Sequence, residues 1–208
     1  MKRQSKEARA LILISLSMLL LAGGAAKSDN AVETVVFVRH GEKPEKGLGQ
    51  LSCRGLNRAL ALPSVIAKTF GRPDAIFAPD PSHRKMDAGE DFDYVRPLAT
   101  IEPTAIALGL PVNASIGFSD ADGLQAAIEQ PRYWNALILI AWEHNIITDA
   151  VRALLAAHGG DLGPVPKWDG NDFDSIYVVT ISRTGDTTKA TFALKHQGLN
   201  RQEDSCPQ

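Results

Sequence analysis

The sequence predicts an α/β protein, a three-layer α/β/α sandwich with a mostly parallel central sheet and a C-terminal antiparallel hairpin. Two apolar runs, residues 34–38 and 136–141, are short enough for buried strands, and each is followed by a stretch of helical periodicity. That alternation builds parallel sheets covered on both faces. Two further strand-like runs, residues 175–182 and 188–196, flank Arg183-Thr184-Gly185-Asp186, a hairpin signal.

In chain order, the first segment is set apart from the fold. Lys2, Arg3, Lys6 and Arg9 precede an apolar run over residues 10–22, and Gly23-Gly24-Ala25-Ala26 supplies the small residues a signal peptidase needs. The run is shorter than the roughly 20 residues of a bilayer span, so a cleaved export signal over residues 1–26 is expected rather than an uncleaved anchor. A lipoprotein reading lacks a cysteine after the run. The expected location is therefore periplasmic or extracellular, with no stable membrane insertion unless the signal is retained. Residues 27–208 are expected to form one domain.

Residues 27–33 read as a polar lead-in and 34–38 as the first strand, ended by Gly41 and Pro44. Ser52 is a plausible cap for a helix carrying Leu56, Leu60, Ile66 and Phe70, with Pro63 as a possible kink. Residues 73–78 give a turn and a short strand. Residues 79–95 are mostly polar and read as a long connection of the kind that forms lids or insertions. A helix is entered at Arg96-Pro97 and ends near Gly109. An edge strand could lie within 111–117, and Asp120 or Asp122 could cap the helix that follows. Residues 136–141 are the most strand-like run, followed by a helical face of Ile146, Ile147, Ala150, Val151, Leu154 and Leu155. Residues 164–173 form a loop carrying Trp168.

Removing residues 1–26 takes the formal charge from −2 to −5. A mildly acidic chain argues against general nucleic-acid binding, so any affinity for an anion must come from a local cluster of basic groups. Cys53 and Cys206 could pair in an oxidising compartment, but two distant cysteines make no disulfide framework. They are expected to be incidental, with Cys206 in a frayed tail. Nothing in the sequence fixes an oligomeric state.

Two strands end in the same chemical fashion. Val38 runs into Arg39-His40, and Ala141 runs into Trp142-Glu143-His144. Parallel neighbours would bring both histidines to one sheet edge, where open α/β sheets place ligand crevices. A lone buried histidine is most often a core hydrogen-bonder. Here the fixed charge of Arg39 disfavours a nearby metal cation and favours an oxyanion. Zinc-type His and Cys spacings do not occur, so no metal or cofactor is expected. A neutral imidazole is a competent nucleophile, and phosphoryl transfer chiefly needs positioning and charge stabilisation on the equatorial oxygens.

Arg39-His40-Gly41-Glu42 resembles the Arg-His-Gly signature of the histidine phosphatase superfamily. Residues 51–59, Leu-Ser-Cys-Arg-Gly-Leu-Asn-Arg-Ala, are similar to that family's helix opening. Arg96-Pro97-Leu98-Ala99-Thr100 resembles its second arginine block, and His144 matches its second histidine. The blocks keep family order across residues 34–196. The resemblance implies that His40 becomes phosphohistidine, while Arg39, Arg96 and His144 bind the phosphoryl oxygens. Arg84 competes with Arg96 for the second-arginine role. The family's general acid has no clear counterpart. Asn145 stands where many members have an aspartate and joins the implied substrate-binding set, and Glu143 is the acid chosen over Glu102, Asp120, Asp122 and Glu129. The role of Glu42 stays open.

The function implied is a metal-independent phosphatase acting on small phosphomonoesters or related phosphoryl compounds. If no carboxylate reaches the leaving oxygen, good leaving groups would be preferred. A non-catalytic phosphate-ligand binder and a metal-dependent hydrolase using His40 and His144 are the alternatives.

Overall fold

A computed structural model describes residues 30–207. The segment read as an export signal lies outside the described residues. Among those residues, no helix is long and apolar enough to cross a membrane. The elements run β1 (Ala31–Arg39), α1 (Cys53–Thr69), β2 (Ala75–Pro79), β3 (Arg84–Asp87), β4 (Glu90–Asp93), α2 (Arg96–Leu108), β5 (Val112–Ile116), α3 (Ala121–Ile128), a 3-10 turn (Pro131–Tyr133), β6 (Leu137–Trp142), α4 (His144–Ala157), β7 (Ser175–Thr184) and β8 (Thr187–His196).

The main sheet has the order β5-β2-β6-β1-β7-β8. Strands β5, β2, β6 and β1 are parallel, whereas β7 pairs antiparallel with β1 and β8 antiparallel with β7. The sheet is mixed but mostly parallel, as the alternating pattern predicts. In β1, Val35 and Phe37 face a core with Leu124 and Ile128 of α3 and Ile147, Val151 and Leu154 of α4. Val36 and Val38 face the opposite core, with Leu62 and Ile66 of α1 and Ile101 and Ala105 of α2. Because β1 is covered on both sides, its sequence reads as a continuous apolar run rather than an alternation. Each of these side chains gains about 1.5–3 kcal/mol by burial, which commits β1 to the centre of the sheet.

Three expectations change. β1 begins earlier than its apolar run, because the carboxylate of Glu33, fully buried, lies 2.9 Å from Arg183 of β7. Burial pushes the Glu33 pKa up, and Arg183 opposes that rise. Second, the polar stretch before α2 is not structureless. β3 and β4 form a hairpin, with Lys85 opposite Phe92 and Asp87 opposite Glu90, turned by Ala88 and Gly89 at φ of 53° and 94°. Its residues carry no apolar face, so periodicity gives no signal.

Third, Cys53 and Cys206 form a disulfide that ties the tail to the first turn of α1. The tail is also held without it. Asn57 donates to the carbonyls of Glu203 and Ser205 at 2.9 and 2.8 Å, and Arg54 lies 3.0 Å from Asp204. Two isolated cysteines can reveal a pairing only once β8 has brought the tail back across the sheet. The bond spans a sequence separation of 153 residues, and a long loop stabilises mainly by restricting the unfolded chain. The double variant Cys53→Ser/Cys206→Ser should lose about 2–4 kcal/mol in urea unfolding, with a steeper slope because the uncrosslinked unfolded chain exposes more surface. A loss under about 0.5 kcal/mol would assign the tail's hold to its hydrogen bonds alone.

Candidate active site

The parallel register of β1 and β6 sets Arg39 beside Trp142. The next backbone hydrogen bond, from His40 N–H to the Trp142 carbonyl at 3.1 Å, carries His40 to the start of α4. His40 is 3% exposed. Its Nδ1 lies 2.8 Å from the Gly41 carbonyl. A carbonyl only accepts, so Nδ1 holds the proton and the lone pair sits on Nε2. Burial, then the charges of Arg96 and Arg39, push the His40 pKa well below 6.5, against the opposing pull of the Gly41 carbonyl. The ring is neutral and its free nitrogen is nucleophilic.

The loop after His40 is wedged between two helices. A Cβ on Gly55 would come within 2.3 Å of the Glu42 carbonyl, and one on Gly41 within 2.9 Å of the Gly55 carbonyl. Both positions therefore exclude side chains. Ser52 caps α1 by accepting from the Gly55 N–H. The Gly41 N–H donates to Thr100 Oγ1, whose hydroxyl donates to the Arg96 carbonyl. Glu42, left open by the sequence, has a structural partner. It takes a two-pronged contact from the buried Arg58 at 2.7 and 2.9 Å, and Arg58 also reaches Asp174 at 3.4 Å.

Arg39 is 4% exposed. Its Nη1 donates to the carbonyls of Gly170 and Asp172 at 2.8 and 2.9 Å, and its guanidinium lies 3.9 Å from the centre of the Phe173 ring. The loop before β7 thus fixes one prong of the fork, while Nε has no protein acceptor. Arg96 begins α2 and is 2% exposed. Its Nη1 lies 2.5 Å from Asp87 of β3, its Nε is unpartnered, and its guanidinium sits 4.9 Å over Tyr94. Asp87 also accepts from Lys43 at 2.6 Å. Burial alone would raise the Asp87 pKa, but Lys43 and Arg96 outweigh it and hold the carboxylate ionised.

Tyr94 is fully buried, its ring perpendicular to that of His40 at 5.9 Å between ring centres, and its hydroxyl is unpartnered among the described residues. Burial pushes its pKa up, so the phenol keeps its proton. Lys85 of β3 places Nζ 5.3 Å over Tyr94 and 4.6 Å over Phe118.

The structure brings Arg39, His40, Arg96, Glu143 and His144 together. Arg84 is not among them: it is exposed and engages Asp91 and Asp93 within the hairpin. Asn145 is exposed, with its side-chain amide donating to Glu143 at 3.1 Å. The acid chosen from sequence is poorly suited to that task. Glu143 caps α4 by accepting from the N–H groups of Asn145 and Ile146, and lies 2.7 Å from Nδ1 of His144 without hydrogen-bond alignment. Burial would raise its pKa, but His144, the Ile146 N–H and Lys85 overcome this and hold it at about 2. Asp87 and Tyr94 were missed because neither falls in a recognisable motif. Among the described residues, no group of three or more His, Cys, Asp or Glu side chains is placed to hold a metal ion.

No family model matches the chain, and no curated protein matches it by sequence. Solved structures do. A Nakamurella multipartitia protein assigned as the phosphohistidine phosphatase SixA shares 14% identity over 79% of this chain and 96% of its own, with a TM-score of 0.52. The mycobacterial glucosyl-3-phosphoglycerate phosphatase complexed with inorganic phosphate shares 15% over 78% and 95%, also at 0.52. A mycobacterial hydrolase shares 13% over 79% and 90%, at 0.53. The two phosphatases are structural neighbours from the histidine phosphatase superfamily, and the chain has their fold.

Nitrogen NMR of the His40 ring should show the neutral form protonated at Nδ1 as pH falls through 6.5; an imidazolium already present at pH 6.5 would contradict the geometry. For Glu143, the folded pKa lies below its ordinary 4.5. It therefore adds stability that is complete above that value and lost as pH falls towards about 2. Glu143→Gln should flatten that part of the acid limb in pH-dependent unfolding. An unchanged limb would show that the carboxylate is not held ionised.

Proposed function

We propose that the chain is an exported phosphatase of the histidine phosphatase superfamily, hydrolysing phosphomonoesters or related phosphoryl compounds through a phosphohistidine on His40. One observation carries the reading. Three buried hydrogen-bond donors around the neutral imidazole, Arg39 Nε, Arg96 Nε and Tyr94 Oη, have no acceptor among the described residues. Unpaired buried donors cost about 1–3 kcal/mol each, more when charged, and an anion repays that cost.

In this mechanism His40 Nε2 attacks phosphorus, Arg39 and Arg96 take up the charge on the equatorial oxygens, and water then hydrolyses the phosphohistidine. His144 is assigned the remaining contact to the phosphoryl oxygens, and the Glu143 carboxylate lies 2.7 Å from its Nδ1. Export is supported by the basic-then-apolar leader and by the Cys53–Cys206 bond, which suits an oxidising compartment. A phosphate-ligand binder without turnover is the second reading, favoured by the commitment of Glu143 to capping rather than proton donation.

The test is hydrolysis of p-nitrophenyl phosphate with and without EDTA. EDTA-resistant turnover, abolished by His40→Ala and lowered at least about 100-fold in kcat/KM by Arg96→Ala, supports the phosphatase. Arg84→Ala should be nearly silent. Loss of turnover with EDTA would sink the mechanism, and phosphate binding without turnover would establish the binder.

A further inference from the structure

We propose that Lys85 replaces the missing carboxylic acid, donating the proton that the leaving-group oxygen of the substrate takes as its bond to phosphorus breaks. The proposal rests on the phosphatase reading above and extends it to substrates whose leaving group is an ordinary alcohol.

The carboxylates near His40 are all otherwise committed. Glu143 caps α4, and Asp87 is held between Lys43 and Arg96. Further along the chain, Asp120 caps α3 and Glu129 pairs with His158 at 2.5 Å, while Glu102 is exposed on α2. Lys85 is different. It is partly buried, yet its ammonium makes no hydrogen bond or ion pair to a described residue and rests only on the faces of Tyr94 and Phe118. The Tyr94 ring it lies over also makes the T-shaped contact with His40, at 5.9 Å between ring centres, and carries the Arg96 guanidinium. Proton donor, nucleophile and phosphate-binding cation are thus grouped around one aromatic ring. The register of the hairpin sets this placement, since Lys85 lies opposite Phe92, two residues before Tyr94.

The charged groups acting on Lys85 come from four elements: Glu143 at the start of α4, Arg96 of α2, Asp87 of its own strand and Lys43 of the loop after β1. Burial is the largest influence and lowers its pKa, making the ammonium a better acid than a free lysine.

The step balances. The Nε2 lone pair of His40 forms an N–P bond while the P–O bond to the leaving group breaks. The electron pair of that bond stays on the oxygen, which takes a proton from Lys85 Nζ and departs as an alcohol. Water then attacks phosphorus, the N–P pair returns to Nε2, and the neutral Lys85 amine accepts the proton released by water.

Leaving-group dependence tests the idea on the mature protein. In wild type, turnover of an alkyl phosphate such as glycerol 2-phosphate and of 2,4-dinitrophenyl phosphate should differ modestly. Lys85→Met should cut alkyl phosphate turnover about 100-fold or more, with less than about a fivefold effect on the dinitrophenyl ester, which needs no acid. Lys85→Arg, which keeps the charge but holds its proton, should fail to restore the alkyl substrate. Equal losses on both substrates, or full rescue by arginine, would overturn proton donation. Trapping of phosphohistidine from the dinitrophenyl ester, lost in His40→Ala, checks the underlying reading separately. If wild type forms none, that reading falls and takes this one with it.

Discussion

The β1–β6 register is the constraint on which the site depends. Pairing Arg39 with Trp142 places the ends of two parallel strands side by side, so that His40 follows one and Glu143-His144 the other. A shift of one residue would turn every β1 side chain to the opposite face, exchanging the two cores and taking the imidazole out of reach. Both faces of β1 are apolar, so it is shape that opposes the shift: Val35 and Phe37 are packed into one core and Val36 and Val38 into the other, and neither close-packed set fits the other's place. The chemistry of the site is thus held in place by packing some distance from it.

A second principle governs the charges. Two buried guanidinium groups act on a neutral imidazole, and each is held by the protein through its Nη1. Carbonyls of the loop before β7 hold Arg39, and Asp87 holds Arg96. The Nε of each is left unpartnered in a medium of low dielectric, where it is strongest towards an incoming anion. Asp87 fixes the arginine and, through Lys43, ties the inserted hairpin to the loop carrying His40. Glu143 serves similarly, as an anion spent on a helix terminus and a histidine.

The sequence made the backbone of this arrangement legible and left its supports hidden. β1, β6, the start of α2 at Arg96, the Ser52 cap and the closing hairpin follow from local rules acting on adjacent residues, whereas the choice of Asp120 over Asp122 as the α3 cap needed the structure. The partner of Glu42 is Arg58, a turn and more into the next helix, and its packing depends on Gly41 and Gly55 meeting. The β3–β4 hairpin carries mostly charged side chains, so it has no hydrophobic period to detect. Glu143 shows the limit most clearly. A carboxylate beside a histidine suggests an acid, and only the helix that begins there shows it to be a cap.

The position of β1 also bears on how the molecule comes to exist. It is the first of the described strands and lies inside the sheet, where Val35 pairs with Ile138 on one side and Val179 on the other. Contacts so distant in sequence give slow folding, because their loop-closure entropy is lost before the pairing rewards it. Until β6 and β7 arrive, the run Val35-Val36-Phe37-Val38 is an unpaired, uncharged β-branched segment of the kind that aggregates. The strand around which the sheet closes is therefore the one whose pairing edges stay open until most of the chain is available.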